Sequence, residues 1–526
     1  MSAPLLAGPA SEPLAGPFAG SVAEPLVGGG GGSRSTGGPS ADGADLGLDE
    51  LLLAASVRRE TGVLLRLSLP VVLSAAMQLL AVVPLMSAVG GLGTVALASM
   101  NLVSIYAGLC GAAAVSGLPM ALDSLCSQAF TAASDRRVLG VYLQRVLVAL
   151  ALVLAALYPL WWNAQAIYQR LGVPADIARA TGRILRVYFF GMAGAQAYEC
   201  LKSYLFAQGL RRFAVVAQGA SLPVAWLCIW LFVSNERTSL GVLGVPCVTV
   251  AAVAVYNLAT LAAMARAGGG RACWGGWSRA ALSGLGQVFR LGAAGSATAL
   301  FDSMSLHMVD VGALFLDAPS MAAQAVLSLV LTCFWLLGTS FGVSACNRIG
   351  NLLGAGHPNR TLLGVYTALA MAAAAFVTLC ALLIGNGRAA AGVFSDDPEV
   401  ADAIAAHIVW PAVGGAVQGI SMAAAGVLRG QGRQALTARM RIASFVCVGV
   451  PVSAAATAGL HWGLAGLWLG YVAGAALAMV GQVYAVLSTD WDSEIELCQR
   501  RIQASAIPGP HGGLEDTLPY GSRPGH

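Results

Sequence analysis

The chain has 526 residues, of which 57% are hydrophobic and only 10% are charged, whereas an average soluble domain carries about 25% charged residues. The mean hydropathy of +0.73 therefore excludes a soluble globular protein. The net charge is only +4, and Lys202 is the sole lysine. This composition predicts a membrane protein without a basic surface for nucleic acid.

The two ends of the chain differ in composition from the rest. Residues 1–60 are rich in Gly, Pro, Ala and Ser and include the run Gly28–Gly32, which predicts a disordered cytoplasmic N-terminal region. Met1 is not followed by a charged segment and an apolar run, so the first membrane span is expected to act as the insertion signal. Residues 489–526 are polar and predict a cytoplasmic C-terminal tail.

Between these ends, apolar runs of about 20 residues, each long enough to cross a bilayer, alternate with Gly, Pro or Arg. They predict an all-α membrane protein whose arginines lie mostly in cytoplasmic loops, as the positive-inside rule requires. The 11 cysteines contain no C-x-x-C pair and are expected to be buried small hydrophobes. Twelve transmembrane helices are predicted near residues 67–89, 95–121, 139–161, 183–206, 213–234, 242–265, 291–314, 320–345, 363–386, 404–428, 437–458 and 463–487.

The membrane region contains an internal repeat. Leu139–Tyr142 recurs as Leu363–Tyr366, and Arg66-Leu67 recurs as Arg290-Leu291 at the same offset. Because six is an even number, both copies enter the membrane from one side, which predicts two six-helix lobes related by a pseudo-twofold axis along the membrane normal. The predicted units are an N-lobe with helices 1–6 (61–266), a cytoplasmic linker (267–289) and a C-lobe with helices 7–12 (290–488). Two lobes joined by a linker are typical of a transporter.

Asp302 is the outstanding ionisable residue of the membrane region. It follows Arg290 by twelve residues, which places it about 18 Å along the helix and near the bilayer midplane. An acid at this depth costs at least a few kcal/mol, so it usually faces a cavity and serves a transport pathway. Asp302 is therefore predicted to be a proton-coupling residue, the alternative being a satisfied structural acid. Gln78 is its equivalent in the N-lobe.

His307 is the second predicted proton-coupling residue, because imidazole titrates near neutral pH. The alternative is a neutral histidine bonded to Asp310 on the same helix face. Glu199 and Lys202 are expected to pair with each other. The predicted substrate-cavity residues are Gln78, Asn101, Gln324, Gln418 and Trp335, the last either an aromatic wall for cations or part of the core. Three residues at helix ends are predicted to be gate or structural residues: Asp123, Arg145 and Arg348.

Three sequence segments carry a family resemblance. Leu122–Phe130 followed by Tyr142–Arg145, the stretch Arg348–Gly356 and the stretch Gly426–Gly432 resemble motifs of the multidrug and toxic compound extrusion (MATE) family, particularly its eukaryotic branch. The resemblance implies twelve helices in two lobes and export of organic solutes, often cationic, in exchange for protons or sodium. Eukaryotic members typically carry two glutamates five residues apart in helix 7, where this chain has Asp302 and His307.

Together these features predict a secondary active transporter that exports organic solutes by proton antiport with alternating access. Two alternatives stay open, a lipid-linked precursor flippase of the same superfamily and a sodium-coupled exporter. No catalytic constellation, metal cluster or cofactor motif is found, so an enzyme is not expected. The expected partners are a small organic solute, protons and the lipid bilayer; a monomer in the plasma membrane or the vacuolar membrane is expected.

The topology gives the first testable prediction. Met1, His526 and the linker around Trp274 should lie in the cytoplasm, and the loop around Asp396 should lie on the opposite side. A single cysteine introduced in the linker near Trp274 and one introduced in the loop near Asp396 should label with an impermeant maleimide from opposite faces of the membrane. Labelling of both sites from the same face would contradict the arrangement.

Overall fold

The computed structural model describes residues 41–90, 92–266, 273–313, 315–394 and 398–504, which contain helices and no β-strand. Twelve long helices run in the predicted order. The N-lobe helices are α1 (Ala41–Gly90), α2 (94–132), α3 (Val138–Trp162), α4 (Ala175–Ala207), α5 (Arg211–Ser234) and α6 (Gly241–Arg266). The C-lobe helices are α7 (Leu285–Ala313), α8 (Ala318–Gly354), α9 (Pro358–Gly385), α10 (Val409–Gly430), α11 (Gln434–Gly459) and α12 (Gly463–Leu487).

The predicted fold class, twelve membrane helices in two lobes, is confirmed. Within the described residues, ten helices are long and apolar enough to cross a membrane by length and composition. The other two long helices are α4, which carries the pair Glu199 and Lys202, and α7, which carries Asp302 and Asp310.

Both chain ends are more ordered than expected where they are described. Residues 41–60 of the predicted disordered region belong to α1, whose Glu60 is anchored to the C-lobe by an ion pair; residues 1–40 lie outside the described residues. Helix Trp491–Ala504 occupies the first part of the predicted tail, while residues 505–526 lie outside the described residues. This segment is polar on average, but it forms an amphipathic helix. Its apolar residues Trp491, Ile495 and Cys498 recur at helical spacing and are buried.

The C-terminal helix has its own cap. Ser493 donates a hydrogen bond of 2.6 Å to Asp490, and the backbone N–H of Asp492 donates one of 3.2 Å. These bonds hold the pKa of the Asp490 carboxyl below its ordinary value. Burial raises the pKa of the Cys498 thiol on this helix to about 11.

Glycines allow the C-lobe to pack closely around α10. A Cβ on Gly415 would lie 2.4 Å from Phe334, and one on Gly426 would lie 2.2 Å from the carbonyl oxygen of Gly342. Lipid removes the hydrophobic drive for helix association, so such close contacts between small residues stabilise membrane bundles. Helix α10 is therefore the centre of the C-lobe, between α8, α9 and α12.

The two lobes touch mainly at one end of the bundle, which is called here the linker side because residues 273–284 lie there. Ser296 on α7 donates to the carbonyl of Ala114 on α2, and Gln128 on α2 donates to the carbonyl of Gly430 on α10. Toward the opposite end, the far side, α2 packs instead on α4, and Gly312 of α7 packs on Leu467 of α12. The lobes thus diverge from the linker side toward the far side.

Gly426 provides a test of this packing. Gly426→Ala should lower the unfolding temperature of the purified protein, because overpacking a close contact costs about 1–3 kcal/mol. Gly385→Ala is the matched control, since a Cβ there meets nothing within 4 Å. Thermal unfolding followed by size-exclusion chromatography would measure both variants. Equal unfolding temperatures would contradict the assigned contact.

Candidate functional site

Asp302 on α7 is paired with an arginine inside the C-lobe. The Nη1 atom of Arg441, on α11, lies 2.5 Å from Oδ1 of Asp302. The two side chains are only 7% and 12% exposed. The chain itself therefore supplies a counterion for this acid.

Two glutamines extend the Asp302–Arg441 pair. Gln418 on α10 accepts a hydrogen bond of 2.9 Å from Arg441 and lies 3.5 Å from Asp302. With its amide in the orientation that satisfies its neighbours, Gln482 on α12 accepts a hydrogen bond of 3.1 Å from Nε of Arg441. The predicted cavity residue Gln418 and the predicted coupling residue Asp302 are thus brought together in one buried network.

A small cavity of about 20 Å³ adjoins this network, large enough for about one water. Its polar lining comes from Ser305, Gln418, Arg441, Ser444 and Tyr471. The lining continues to a π-helical turn, Phe445–Gly449, that interrupts α11 directly after Ser444. Such turns are frequent at functional sites because they widen the helix locally.

The equivalent network in the N-lobe is neutral. Gln218 on α5 occupies the repeat position of Arg441, because α5 and α11 begin at equivalent residues. Ser74 on α1 donates a hydrogen bond of 2.5 Å to Gln218, and Tyr198 on α4 lies 3.4 Å from the same oxygen. The two lobes therefore share a fold, and these equivalent networks differ in charge.

A second acidic cluster lies farther along α7. Oδ1 of Asp310 accepts hydrogen bonds of 3.0 Å from Gln324 and 2.5 Å from Ser328, both on α8. Oδ2 of Asp310 lies 3.4 Å from Nδ1 of His307. Trp468 on α12 donates to the oxygen of Gln324 at 2.9 Å, which directs the amide nitrogen toward the carboxylate.

The structure separates Asp302 from His307. Five residues along an α-helix turn a side chain by about 140°, so the two groups point to different faces of α7. His307 instead lies beside Asp310, the alternative that the sequence left open. Gln324 is 3% exposed and bonded to the Asp310 cluster, so it is held in this cluster and does not line an open cavity.

The remaining predicted cavity residues have different surroundings. Gln78 on α1 is half-buried and Asn101 on α2 is exposed; in the described part of the chain, neither bonds to Asp302 or Gln418. Trp335 is 39% exposed and lies two turns from Ser328 on the same side of α8. This position places its ring at about the depth of Asp302.

The three predicted gate or structural residues all lie on the linker side. Arg348 forms a two-pronged ion pair with Glu60 of α1, with both distances 2.6 Å, and Asp123 lies 3.7 Å from Arg429 of α10. Both pairs join the two lobes. Arg145 has a different role, because its Nε donates to the carbonyl of Ala280 in the linker at 3.2 Å.

Three residues at these sites escaped the sequence analysis, namely Glu60, Arg429 and Arg441. Arg441 could have been found from the repeat, since the N-lobe has a glutamine at its equivalent position and an arginine inside a predicted span needs a partner. Glu60 could not, because it lies in a region whose composition predicted disorder. The pairing of Glu199 with Lys202, at 2.5 Å, agrees with expectation.

Comparison with known proteins identifies one family. The MatE family model matches residues 70–231 and 297–455, which is one match in each lobe. An uncharacterized transporter of Schizosaccharomyces pombe is 28% identical and covers 84% of this chain and 82% of its own length. Protein DETOXIFICATION 17 of Arabidopsis thaliana is 26% identical and covers 79% of this chain and 87% of its own length.

Solved structures give the same fold. The eukaryotic MATE transporter AtDTX14 superposes with a TM-score of 0.78 at 24% identity, over 85% of this chain and all of its own. A mutant of the Vibrio cholerae MATE transporter VcmN superposes with a TM-score of 0.74 at 15% identity, over 84% of this chain and all of its own.

The ion pair between Glu60 and Arg348 yields a prediction about the linker side. Glu60→Gln should weaken the contact between the lobes and so expose Cys346, a buried thiol on α8, more often. A maleimide should then label Cys346 about tenfold faster, which corresponds to a free energy of opening lower by about 1.4 kcal/mol. Mass spectrometry of the labelled peptide would measure this rate. The charge exchange Glu60→Arg with Arg348→Glu is the control and should restore slow labelling. Unchanged labelling of Glu60→Gln would contradict a role in holding the lobes together.

Proposed function

Because this chain belongs to the MatE family, whose members are multi-pass membrane transporters, we propose that it exports organic cations from the cytoplasm by proton antiport. The observation that carries the proposal is that the C-lobe network around α7 is charged, whereas its repeat-related network in the N-lobe is neutral. The C-lobe holds two carboxylates on α7, Asp302 and Asp310, whereas Gln218 and Ser74 form the equivalent N-lobe network. Carboxylates can exchange a proton for a cation, and amides cannot.

The divergence of the lobes supports an alternating-access cycle. With the linker side in the cytoplasm, as the distribution of arginines favours, the described arrangement is closed to the cytoplasm and splayed toward the outside. The inner closure consists of two ion pairs and several hydrogen bonds. The proposed units are accordingly the N-lobe of α1–α6, the linker and the C-lobe of α7–α12.

Asp302 is the proposed coupling residue of the buried network. A proton on Asp302 removes the charge that holds Arg441, and Arg441 then depends on Gln418 and Gln482. Because Asp302 lies on α7 and Arg441 on α11, protonation weakens a link between two helices of the C-lobe. Protonation can therefore shift the C-lobe between two conformations, and this shift would couple proton binding to transport.

The same pair argues against the two alternatives. A sodium site needs several oxygen ligands around the ion, yet the guanidinium of Arg441 occupies the Asp302 carboxylate. A flippase for lipid-linked pyrophosphates needs basic groups that are not already paired with an acid, yet Arg441 is neutralised by Asp302. Protons are small enough to compete with a bound arginine, so proton coupling fits the site best.

Reconstitution of the full-length protein in liposomes tests the proposal. An imposed proton gradient should drive uptake of a radiolabelled organic cation, whereas a sodium gradient at clamped pH should not. Asp302→Asn should abolish proton-driven uptake. Because this variant leaves Arg441 buried and unpaired, at a cost of about 3–5 kcal/mol, its folding must be controlled.

The double variant Asp302→Asn with Arg441→Gln supplies that control, since it removes both charges and leaves amides that can bond to each other. It should fold at least as stably as Asp302→Asn and still fail in proton-driven uptake if Asp302 is the coupling acid. Recovery of full uptake in the double variant would make the pair purely structural. Uptake driven by sodium alone would overturn proton coupling.

A further inference from the structure

Asp310 has an open carboxylate oxygen, unlike Asp302. Its Oδ1 accepts hydrogen bonds from Gln324 and Ser328, but among the described residues its Oδ2 has only the ring nitrogen of His307 as a polar neighbour, at 3.4 Å. That distance exceeds the 2.7–2.9 Å typical of a charge-assisted hydrogen bond. The side chains of Asp310 and His307 are 35% and 38% exposed. The cluster therefore presents one carboxylate oxygen with unused hydrogen-bonding capacity.

The position of Asp310 on α7 directs it toward the space between the lobes. Gly292 faces the N-lobe, because a Cβ there would lie 2.7 Å from Leu118 of α2. Asp310 follows Gly292 by about five turns of an uninterrupted helix and so lies on the same side. At this height the lobes have diverged. Asp310 is also about 30 Å beyond Arg290, which places it near the far edge of the hydrocarbon core.

No fixed cation neutralises Asp310. Its neighbours are His307 on α7, Gln324 and Ser328 on α8, and through Gln324 the indole of Trp468 on α12. In the described ranges, no arginine or lysine lies within 4.0 Å of its carboxylate, in contrast to Asp302 with Arg441. The net charge of the site thus depends on whether His307 carries a proton.

We propose that Asp310 and His307 form an outer binding site for monovalent organic cations, from which a proton on His307 expels the cation. With neutral His307, the open oxygen of Asp310 binds the positive group of the departing solute. On an acidic far side, His307 becomes charged, pairs with Asp310 and blocks rebinding. The site lies on the exit path of the proposed function, and the inference rests on that function.

Gln324 and Trp468 determine which oxygen of Asp310 stays open. They fix Oδ1 against α8 and so leave Oδ2 as the oxygen that either the solute or His307 can take. Since both compete for one oxygen, binding of one lowers the affinity of the other, and the coupling is reciprocal. This competition occurs at the outer end of α7 and is independent of the Asp302–Arg441 pair deeper in the lobe.

Equilibrium binding of radiolabelled tetraphenylphosphonium to the purified full-length protein tests the site, because this cation keeps its charge at every pH. The wild type should bind it about tenfold more tightly at pH 8 than at pH 5.5. Asp310→Asn should weaken binding at pH 8 about tenfold and remove the pH dependence. His307→Gln should bind tightly at both pH values; it leaves Asp310 and its α8 partners in place. Asp402→Asn, an exposed acid of the C-lobe, is the matched control and should behave as wild type.

The outcomes separate this inference from the proposed function. If the wild type binds and transports the probe in a proton gradient while Asp310→Asn and His307→Gln keep the wild-type pH dependence, the outer site is wrong and proton antiport stands. If the wild type neither binds nor transports the probe, the export of organic cations fails and the outer site fails with it. Loss of pH dependence in both variants, with the control unchanged, supports the site.

Discussion

The high cost of an unpaired charge inside a bilayer governs the arrangement of this protein. Each buried ionisable group that the preceding sections place within the bundle has a partner: Asp302 has Arg441, Arg348 has Glu60, and Glu199 has Lys202. A transporter must nevertheless change charge at some position. The structure pairs most of these charges with an arginine or a lysine and places a histidine beside Asp310 instead.

The repeat gives two lobes of the same fold, but the two repeat-related networks differ in charge. Equivalent positions hold Gln218 in the N-lobe and Arg441 in the C-lobe, so the N-lobe forms a neutral hydrogen-bonded network where the C-lobe forms an ion pair. The neutral Gln218 network holds no group that protonation at ordinary pH would alter. The corresponding C-lobe network contains the carboxylate of Asp302, whose charge a proton would remove.

Many of the contacts that close the linker side are polar. Gln128 and Thr131 on α2 donate to backbone carbonyls of the C-lobe, and Glu60 pairs with Arg348. Polar groups lose little when they separate into water, because water replaces their partners, whereas separated apolar surfaces are penalised. A closure built from such groups can open and close with a modest change in free energy, as an alternating cycle requires. The linker is held separately, by Gln144 and Arg145 of α3.

The sequence by itself determined the architecture, because the length of an apolar run is set by bilayer thickness and the repeat is visible in residues such as Leu139–Tyr142 and Leu363–Tyr366. It also singled out Asp302 and His307, since ionisable residues in an apolar span stand out. Only the tertiary structure decided the partner of Asp302. Arg441 lies 139 residues from Asp302 in the chain, and no local spacing relates two helices that meet through packing. For His307, the helical spacing already offered Asp310, three residues on along the same helix face, as an alternative neighbour, and the structure has these two side chains 3.4 Å apart. The paired or open state of each carboxylate therefore follows from how α7 is rotated against α8, α10 and α11.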